Sequence, residues 1–200
     1  MIALIEFCYI CFESIIANLE KSRNFQIYRY FSRRSNQRDQ YPLFVTWKKN
    51  NQLRGCIGTF QHNPIYMGLK KYSRSAAFED SRFPPITKEE VPSLSCTVSI
   101  LHDFEDASDA YDWTVGKHGI ILTIKNIYSA TFLPEVMTEN HWSKDETLKQ
   151  LAIKSGYKGN IDKAFLKSSC KVRRYQTSSI TATYEQYIEY AKQFERNNEL

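Results

Sequence analysis

The segment at residues 53–60, with the sequence LRGCIGTF, constrains the fold more than any other, because two glycines interrupt a run of strand-forming residues. Side chains two residues apart lie on the same face of a strand, so Arg54 and Cys56 are expected to project together. Glycine weakens a strand unless a bulge or a close backbone approach requires it. Gly55 and Gly58 therefore predict that another group comes close to this strand, which the sequence does not identify.

The remaining patterns predict a mixture of hairpins and helices. Strand character is found at residues 43–49, 53–60, 94–101, 119–125, 129–132, 171–176 and 180–183, and the first two segments read as a hairpin joined by the polar residues 50–52. An amphipathic spacing predicts a helix near the N-terminus, and Asn63-Pro64 predicts the start of a helix that runs to about residue 78. The capping boxes Thr87/Glu90 and Ser143/Glu146 predict two more helix starts, and a last helix is predicted to begin at about residue 184. Because strands and helices do not strictly alternate, the sequence predicts an α+β domain with a mainly antiparallel sheet flanked by helices.

Length and charge narrow the class of protein. A chain of 200 residues is long enough for one substantial core, so we expect one domain over residues 1–195. The polar run at residues 32–40 predicts a mobile loop before the first strand, and residues 196–200 are expected to fray. The formal net charge of +5 is small and the basic doublets are scattered, so there is no strong nucleic-acid signal.

The cysteines and the apolar N-terminal segment favour an intracellular protein without a metal site. That segment lacks a basic start and carries Glu6 and Glu13, so we expect neither a signal peptide nor a membrane span. Five cysteines in no regular framework fit a reducing compartment, cytoplasmic or nuclear. Cys8 and Cys11 form a C-x-x-C, but no second pair at short spacing follows. We therefore expect two packed thiols, no metal and no cofactor.

The glycine-rich segment and its surroundings resemble the AMMECR domain, a family named for a human chromosomal region linked to a hearing, kidney and red-cell syndrome. The resemblance is carried by FVTW at 44–47, DSRFPP at 80–85, FED at 104–106, GKHGI at 116–120, TFLPEV at 131–136 and Trp142, while CYICF at 8–12 resembles the eukaryotic members. It covers nearly the whole chain and implies a larger and a smaller subdomain, with residues 53–60 near the cleft between them. It implies hardly any activity. Microbial members resemble partners of Memo-like and radical-SAM proteins, which implies a redox or modification pathway.

Two classes of function fit these residues. The first is a binding module in which Arg54, Gly55, Gly58, Asp80 and Arg82 contact a small anionic ligand or a protein partner, since arginine matches carboxylate and phosphate geometry. We expect this class. The aromatic residues around Trp47, Trp113 and Trp142 would then add an interaction surface.

The alternative is a thiol-dependent enzyme acting on a small anionic substrate. Cys56 would be the nucleophile, because a neighbouring guanidinium favours the reactive thiolate. His118 is the candidate base. Each residue also has a structural interpretation: Cys56 as a packed thiol, Arg54 in an ion pair, His118 in a tight turn, and the pair Asp80 and Arg82 as a tie between a loop and its own domain.

Overall fold

A computed structural model describes residues 2–23, 25–34 and 39–198. The helices are α1 (Ile5–Leu19), α2 (Gln26–Arg34), α3 (Ile65–Phe78), α4 (Pro134–Glu139), α5 (Lys144–Lys154), α6 (Lys163–Ser169) and α7 (Tyr184–Asn198), with a 3-10 helix over Lys88–Ser93. The strands are β1 (Gln40–Lys49), β2 (Gln52–Pro64), β3 (Leu94–Asp106), β4 (Gly119–Ile124), β5 (Tyr128–Phe132) and β6 (Cys170–Thr183). The described strand pairings are antiparallel, so the α+β prediction is confirmed. None of the helices in these ranges is long and apolar enough to cross a bilayer.

The chain divides into two compact units. The larger contains residues 1–100 and 178–200, and the smaller contains residues 101–177. The strand order is β2-β1-β3-β6 in the larger unit and β3-β6-β4-β5 in the smaller, because β3 and β6 contribute residues to both. The larger and smaller subdomains implied by the resemblance are therefore present.

The larger unit is organised around the hairpin of β1 and β2. Asn50 and Asn51 have φ of 50° and 63°, and two consecutive positive φ values are the requirement of the type I′ turn that joins twisted strands tightly. Helix α1 is buried at every residue from 7 to 15 rather than along one stripe, because α3 and α7 both pack against it. The predicted amphipathic helix is thus a central core helix.

The smaller unit packs α5 against the hairpin of β4 and β5. Its core contains the buried side chains of Trp113, Leu122 and Leu148. Helix α5 begins after the predicted capping box, in which Ser143 accepts a hydrogen bond from the Glu146 amide at 3.2 Å.

Two predicted loop and end segments differ from what is observed. Helix α2 extends to Arg34 and β1 begins at Gln40, so the first three residues of the predicted loop 32–40 are helical. Residues 35–38 of that segment lie outside the described residues. Helix α7 continues to Asn198, and the last two residues of the segment expected to fray lie outside the description.

Candidate functional site

Four of the predicted site residues come together in the larger unit. Arg54 and Cys56 project from β2, and Asp80 and Arg82 lie in the segment that follows α3. This segment contacts β2 at two points, the backbone of Cys56 and the guanidinium of Arg54. Two of the sequence segments that carried the resemblance, 53–60 and 80–85, therefore hold each other in place.

The first contact is a ring of hydrogen bonds around Cys56. The buried carboxylate of Asp80 accepts a hydrogen bond from the Cys56 amide at 2.9 Å, and it accepts from Nε and Nη2 of Arg82 at 2.9 and 2.6 Å. Arg82 Nη2 also donates to the Cys56 carbonyl at 3.3 Å. The hydrogen bonds from Arg82 hold the pKa of Asp80 far below its usual range, so Asp80 is ionised at neutral pH.

Arg82 presents its charge to solvent from this fixed position. Its side chain is 53% exposed, whereas that of Asp80 is 4% exposed. Its Nη1 donates to no group within the described part of the chain. The pKa of Arg82 is raised, chiefly by the hydrogen bond to Asp80 and to a smaller extent by the charges of Asp80 and Cys56. The result is a permanently charged guanidinium that is held in a fixed orientation against the backbone of Cys56.

Cys56 is half-buried and lies opposite Thr46 in the hairpin register. The Thr46 hydroxyl donates a hydrogen bond to the Cys56 sulfur at 3.1 Å. A hydroxyl that donates to sulfur favours the charged form of the thiol. The thiol therefore has a donor on the neighbouring strand, while Arg82 from the segment after α3 binds the carbonyl of the same residue.

The second contact uses nearly all the donors of Arg54. Its Nε and Nη2 form two 3.0 Å bonds with the carboxylate of Glu90, and Nη1 and Nη2 donate to the carbonyls of Pro84 and Pro85 at 2.8 and 3.3 Å. The side chain is only 12% exposed. Arg54 thus ties β2 to the double-proline segment and to the 3-10 helix.

Glu90 is the centre of this second cluster. Its carboxylate also accepts from Lys49 Nζ and from the backbone amide of Thr87, both at 3.0 Å, the latter within the predicted capping box. The hydrogen bond from Arg54 lowers the pKa of Glu90 to about 2, with smaller contributions from Thr87 and Lys49. Glu90 is therefore ionised over the whole neutral range.

The glycines of β2 allow close packing by the protein's own backbone. A Cβ on Gly55 would overlap the carbonyl oxygen of Ala76 in α3, and one on Gly58 would overlap the backbone and side chain of β1 at Leu43 and Phe44. The predicted close approach at these positions is thus made by α3 and β1.

His118 belongs to the smaller unit, where it closes a turn. Its Nδ1 accepts a hydrogen bond from the Thr114 amide at 3.0 Å, and Gly116 within the turn has a φ of 79°. Burial, followed by the charges of Arg174 and Lys117, lowers the pKa of His118, so the ring is neutral at pH 7. Since Nδ1 accepts, the neutral ring carries its proton on Nε2. The pairing of His118 with Cys56 stays a prediction.

The predicted aromatic surface is wrong for two of its three tryptophans. Trp47 and Trp113 are buried, and their indole nitrogens donate to the carbonyls of Ser73 and Ala110 at 2.9 and 2.8 Å. They were misassigned because tryptophan is common both in cores and at interfaces. Trp142 is half-buried, with its ring 5.3 Å from that of Phe132.

Three residues of the site were not predicted as site residues. Thr46, Lys49 and Glu90 contribute the hydroxyl, the amine and the carboxylate described above. Glu90 carried a signal as the fourth residue of a capping box, but nothing in the sequence joined it to Arg54. Thr46 could have been found from the hairpin register, because it faces Cys56.

Comparisons with known proteins agree with this architecture. A family model described as AMMECR1 matches residues 8–180. An uncharacterised protein of Schizosaccharomyces pombe is 40% identical over 190 residues, which cover 92% of this chain and 94% of that protein. An uncharacterised protein of Arabidopsis thaliana is 44% identical over 162 residues, or 76% of this chain and 75% of that one. The crystal structure of an uncharacterised protein from Pyrococcus horikoshii has a TM-score of 0.69 and 25% identity, covering 88% of this chain and 89% of that one.

Proposed function

The chain belongs to the AMMECR1 family, and we propose that it acts as a binding domain whose recognition point is the guanidinium of Arg82 beside Cys56. The ligand group would be a carboxylate or phosphate of a small molecule or of a protein partner. The observation that carries the proposal is the fixed, half-exposed Arg82, because an arginine already held by a buried carboxylate loses little side-chain entropy when it binds an anion.

The other predicted residues would support this site in different ways. Asp80 orients Arg82, and Arg54 fixes the segment after α3 through Glu90 and the proline carbonyls. Gly55 and Gly58 support the site by letting β2 lie close to α3 and β1. In this proposal Arg82 contacts the anion, and the remaining residues hold Arg82 and Cys56 in place.

The proposal includes an intracellular location, in the cytoplasm or the nucleus. Its support is that none of the five cysteines forms a disulfide and that three of them are buried in the larger unit. Free thiols are typical of reducing compartments.

The test is an NMR titration of the labelled protein with acetate, inorganic phosphate and an acidic hexapeptide. We expect saturable shifts of the Arg82 Nε–H and Cys56 amide signals with at least one probe. Arg82→Gln should abolish the Cys56 shifts, and Arg82→Lys, which keeps the charge but not the fork, should weaken binding. Arg74→Gln, at an exposed arginine of α3, is the control and should bind as wild type. If the probes move no signal at Cys56, or if both glutamine variants behave alike, the proposal fails.

A second candidate function is thiol chemistry at Cys56 on a small anionic substrate. The specific observation in its favour is the hydrogen bond from Thr46 to the sulfur, in combination with the nearby Arg82. The two candidates differ in what Cys56→Ser should do: it abolishes the activity of a nucleophile but leaves a binding domain nearly intact.

The pH dependence of Cys56 alkylation distinguishes these candidates further. A thiol activated by Thr46 and Arg82 should react with an apparent pKa below the roughly 8.5 of an ordinary cysteine. Thr46→Val should raise that pKa, because the donor to sulfur is lost. An unchanged profile in both Thr46→Val and Arg82→Gln would exclude activation by these groups.

A further inference from the structure

A cavity of about 980 Å³ lies in the smaller unit, and neither the binding site at Arg82 nor thiol chemistry at Cys56 involves its residues. It is bounded by the stretch 106–111, by β4 at Ile121 and Thr123, by one face of α6, and by the start of β6. Pockets for small organic ligands typically measure 300 to 1,000 Å³ and combine apolar walls with a few convergent polar groups. The size therefore suits an organic molecule rather than a single small ion.

Four basic residues line this cavity from two elements, and all four are exposed. Lys163 and Lys167 are four residues apart on α6, and Lys171 and Arg173 are two apart on β6. These spacings place each pair on one face of its element, and all four residues line the same space. The antiparallel pairing of β4 with β6 sets Thr123 opposite Lys171, so a residue with a hydroxyl lies on the same face as the cations of β6.

The cavity keeps a surplus of positive charge. Of its two carboxylates, Asp109 accepts a hydrogen bond from the Tyr111 amide at 2.6 Å, and Asp106 lies 3.7 Å from Arg173 in a highly exposed pair. Exposed pairs of this kind are weak. Lys163, Lys167 and Lys171 form no ion pair with any residue in the described ranges. Four cations against two carboxylates leave two positive charges for a ligand.

The lining also has an apolar part. Tyr111 and Ile121 are partly buried, and Ile121 pairs with Arg173, so these two side chains lie on one face of the sheet. Leu166 and Val172 are buried in the core of the unit. Cys170 also lines the cavity, and burial raises the pKa of its thiol. An anion without an apolar portion would leave this wall uncovered.

We propose that the cavity is a second binding site, for a small phosphomonoester whose phosphate lies among the lysines and whose apolar or aromatic body packs on Tyr111 and Ile121. A phosphomonoester carries a charge of about −1.5 to −2 at pH 7, which matches the surplus in the cavity. The site is independent of the proposed function at Arg82, because its residues belong to a different unit of the chain.

The test uses 1-naphthyl phosphate as the probe and the alkylation of Cys170 by N-ethylmaleimide as the local readout, followed by mass spectrometry. We expect saturable protection of Cys170 and none of Cys56. Equilibrium dialysis with the same probe measures the affinity independently of thiol reactivity. Neutral 1-naphthol and inorganic phosphate should each bind more weakly than the phosphomonoester, because 1-naphthol lacks the phosphate and inorganic phosphate lacks the apolar body.

Charge-removing variants decide whether the lysines make the site. Lys167→Gln and Lys171→Gln should each weaken the binding of 1-naphthyl phosphate by about three- to fivefold, as expected for a partly exposed ion pair. Lys149→Gln, at an exposed lysine of α5 away from the cavity, should bind as wild type. The proposal is overturned by absence of saturable binding up to about 10 mM probe. Equal losses of affinity in all three variants would also overturn the proposal. So would an affinity for inorganic phosphate or 1-naphthol that equals the affinity for the phosphomonoester.

Discussion

Replacing Glu90 by glutamine removes the negative charge that holds Arg54 and Lys49 together. The two 3.0 Å bonds from Arg54 become at most one good hydrogen bond, and a guanidinium that is only 12% exposed loses its counter-charge. Truncating one partner of such a pair is costly because the other charge stays buried. Glu90→Gln should therefore destabilise the larger unit.

The size of this effect follows from the pKa of Glu90. A shift from the ordinary 4.5 to about 2 corresponds to about 3 kcal/mol of folding free energy, since one pKa unit is about 1.4 kcal/mol. The side chain is 16% exposed, so screening by solvent reduces this only moderately, and we expect about 2 to 3 kcal/mol at pH 7.

The sign of the pH dependence is fixed by the direction of the shift. Because the folded state depresses the pKa of Glu90, its contribution is fully present above the unfolded value of about 4.5 and is lost as the pH falls towards 2. At pH 3 about two fifths of the contribution should remain. The difference in unfolding free energy between wild type and Glu90→Gln should therefore shrink between pH 7 and pH 3.

Urea unfolding at the two pH values measures that difference. Glu189→Gln is the matched control, because Glu189 is an exposed glutamate of α7 in the larger unit that forms no hydrogen bond or ion pair with the described residues, and it should leave the unfolding midpoint at its wild-type value at pH 7. Equal costs of Glu90→Gln at pH 7 and pH 3, or a cost no larger than that of Glu189→Gln, would refute the assignment of Glu90 and Arg54 as a structural clamp.

Three further predictions test the packing around the site and the helix ends. Gly55→Ala should lower the unfolding free energy by about 1 to 3 kcal/mol in the same urea assay, since the new methyl group meets the Ala76 carbonyl; an unchanged midpoint would mean that β2 and α3 separate freely. Ser143→Ala should cost about 1 kcal/mol through loss of the α5 cap, and a thermal melt with no decrease would contradict the capping role. Iodoacetamide should label Cys56 in the native protein and Cys96 only after denaturation, because Cys96 is fully buried; native labelling of Cys96 would contradict its place in the core.

Local chemistry was enough to predict several elements from the sequence. The turn of the first hairpin needs two residues that tolerate positive φ, and Asn50-Asn51 provides them. The capping boxes at Thr87 and Ser143 were recognisable because donor and acceptor are only three residues apart. Each of these features depends on atoms that are close in the chain.

Helix α2 was missed because its N-terminus is satisfied by a distant residue. The buried carboxylate of Glu13, in α1, accepts hydrogen bonds from the amides of Ile27 and Tyr28 at 2.8 and 2.9 Å. In the sequence, Glu13 only looks like a charge that argues against a membrane span. A helix start is usually recognised by a cap immediately before it, and here the cap lies about 14 residues upstream.

In the site, too, contacts between residues close in the sequence could be predicted, whereas contacts between distant residues could not. The sequence predicted that something approaches Gly55, and the approaching group is the backbone of α3 rather than a ligand. It predicted that Asp80 and Arg82 form a pair, which their spacing of two allows. It could not predict that this pair forms hydrogen bonds with the backbone of Cys56, which lies 24 residues before Asp80, because that contact depends on how α3 packs beside β2.

The course of the chain through the two units has a consequence for biosynthesis. Residues 101–177 form a continuous segment, so the smaller unit can begin to fold as soon as that segment leaves the ribosome. The larger unit cannot, because α1 is not fully covered until α7 arrives: Phe12 stacks on Tyr187 with 5.4 Å between ring centroids. The residues before α1 also need the end of β6, since the Ala3 amide donates to the Ser178 hydroxyl at 2.9 Å. The first helix to be made must therefore wait for the last, and a nascent chain stalled near residue 177 would expose the aromatic face of α1 to chaperones and proteases.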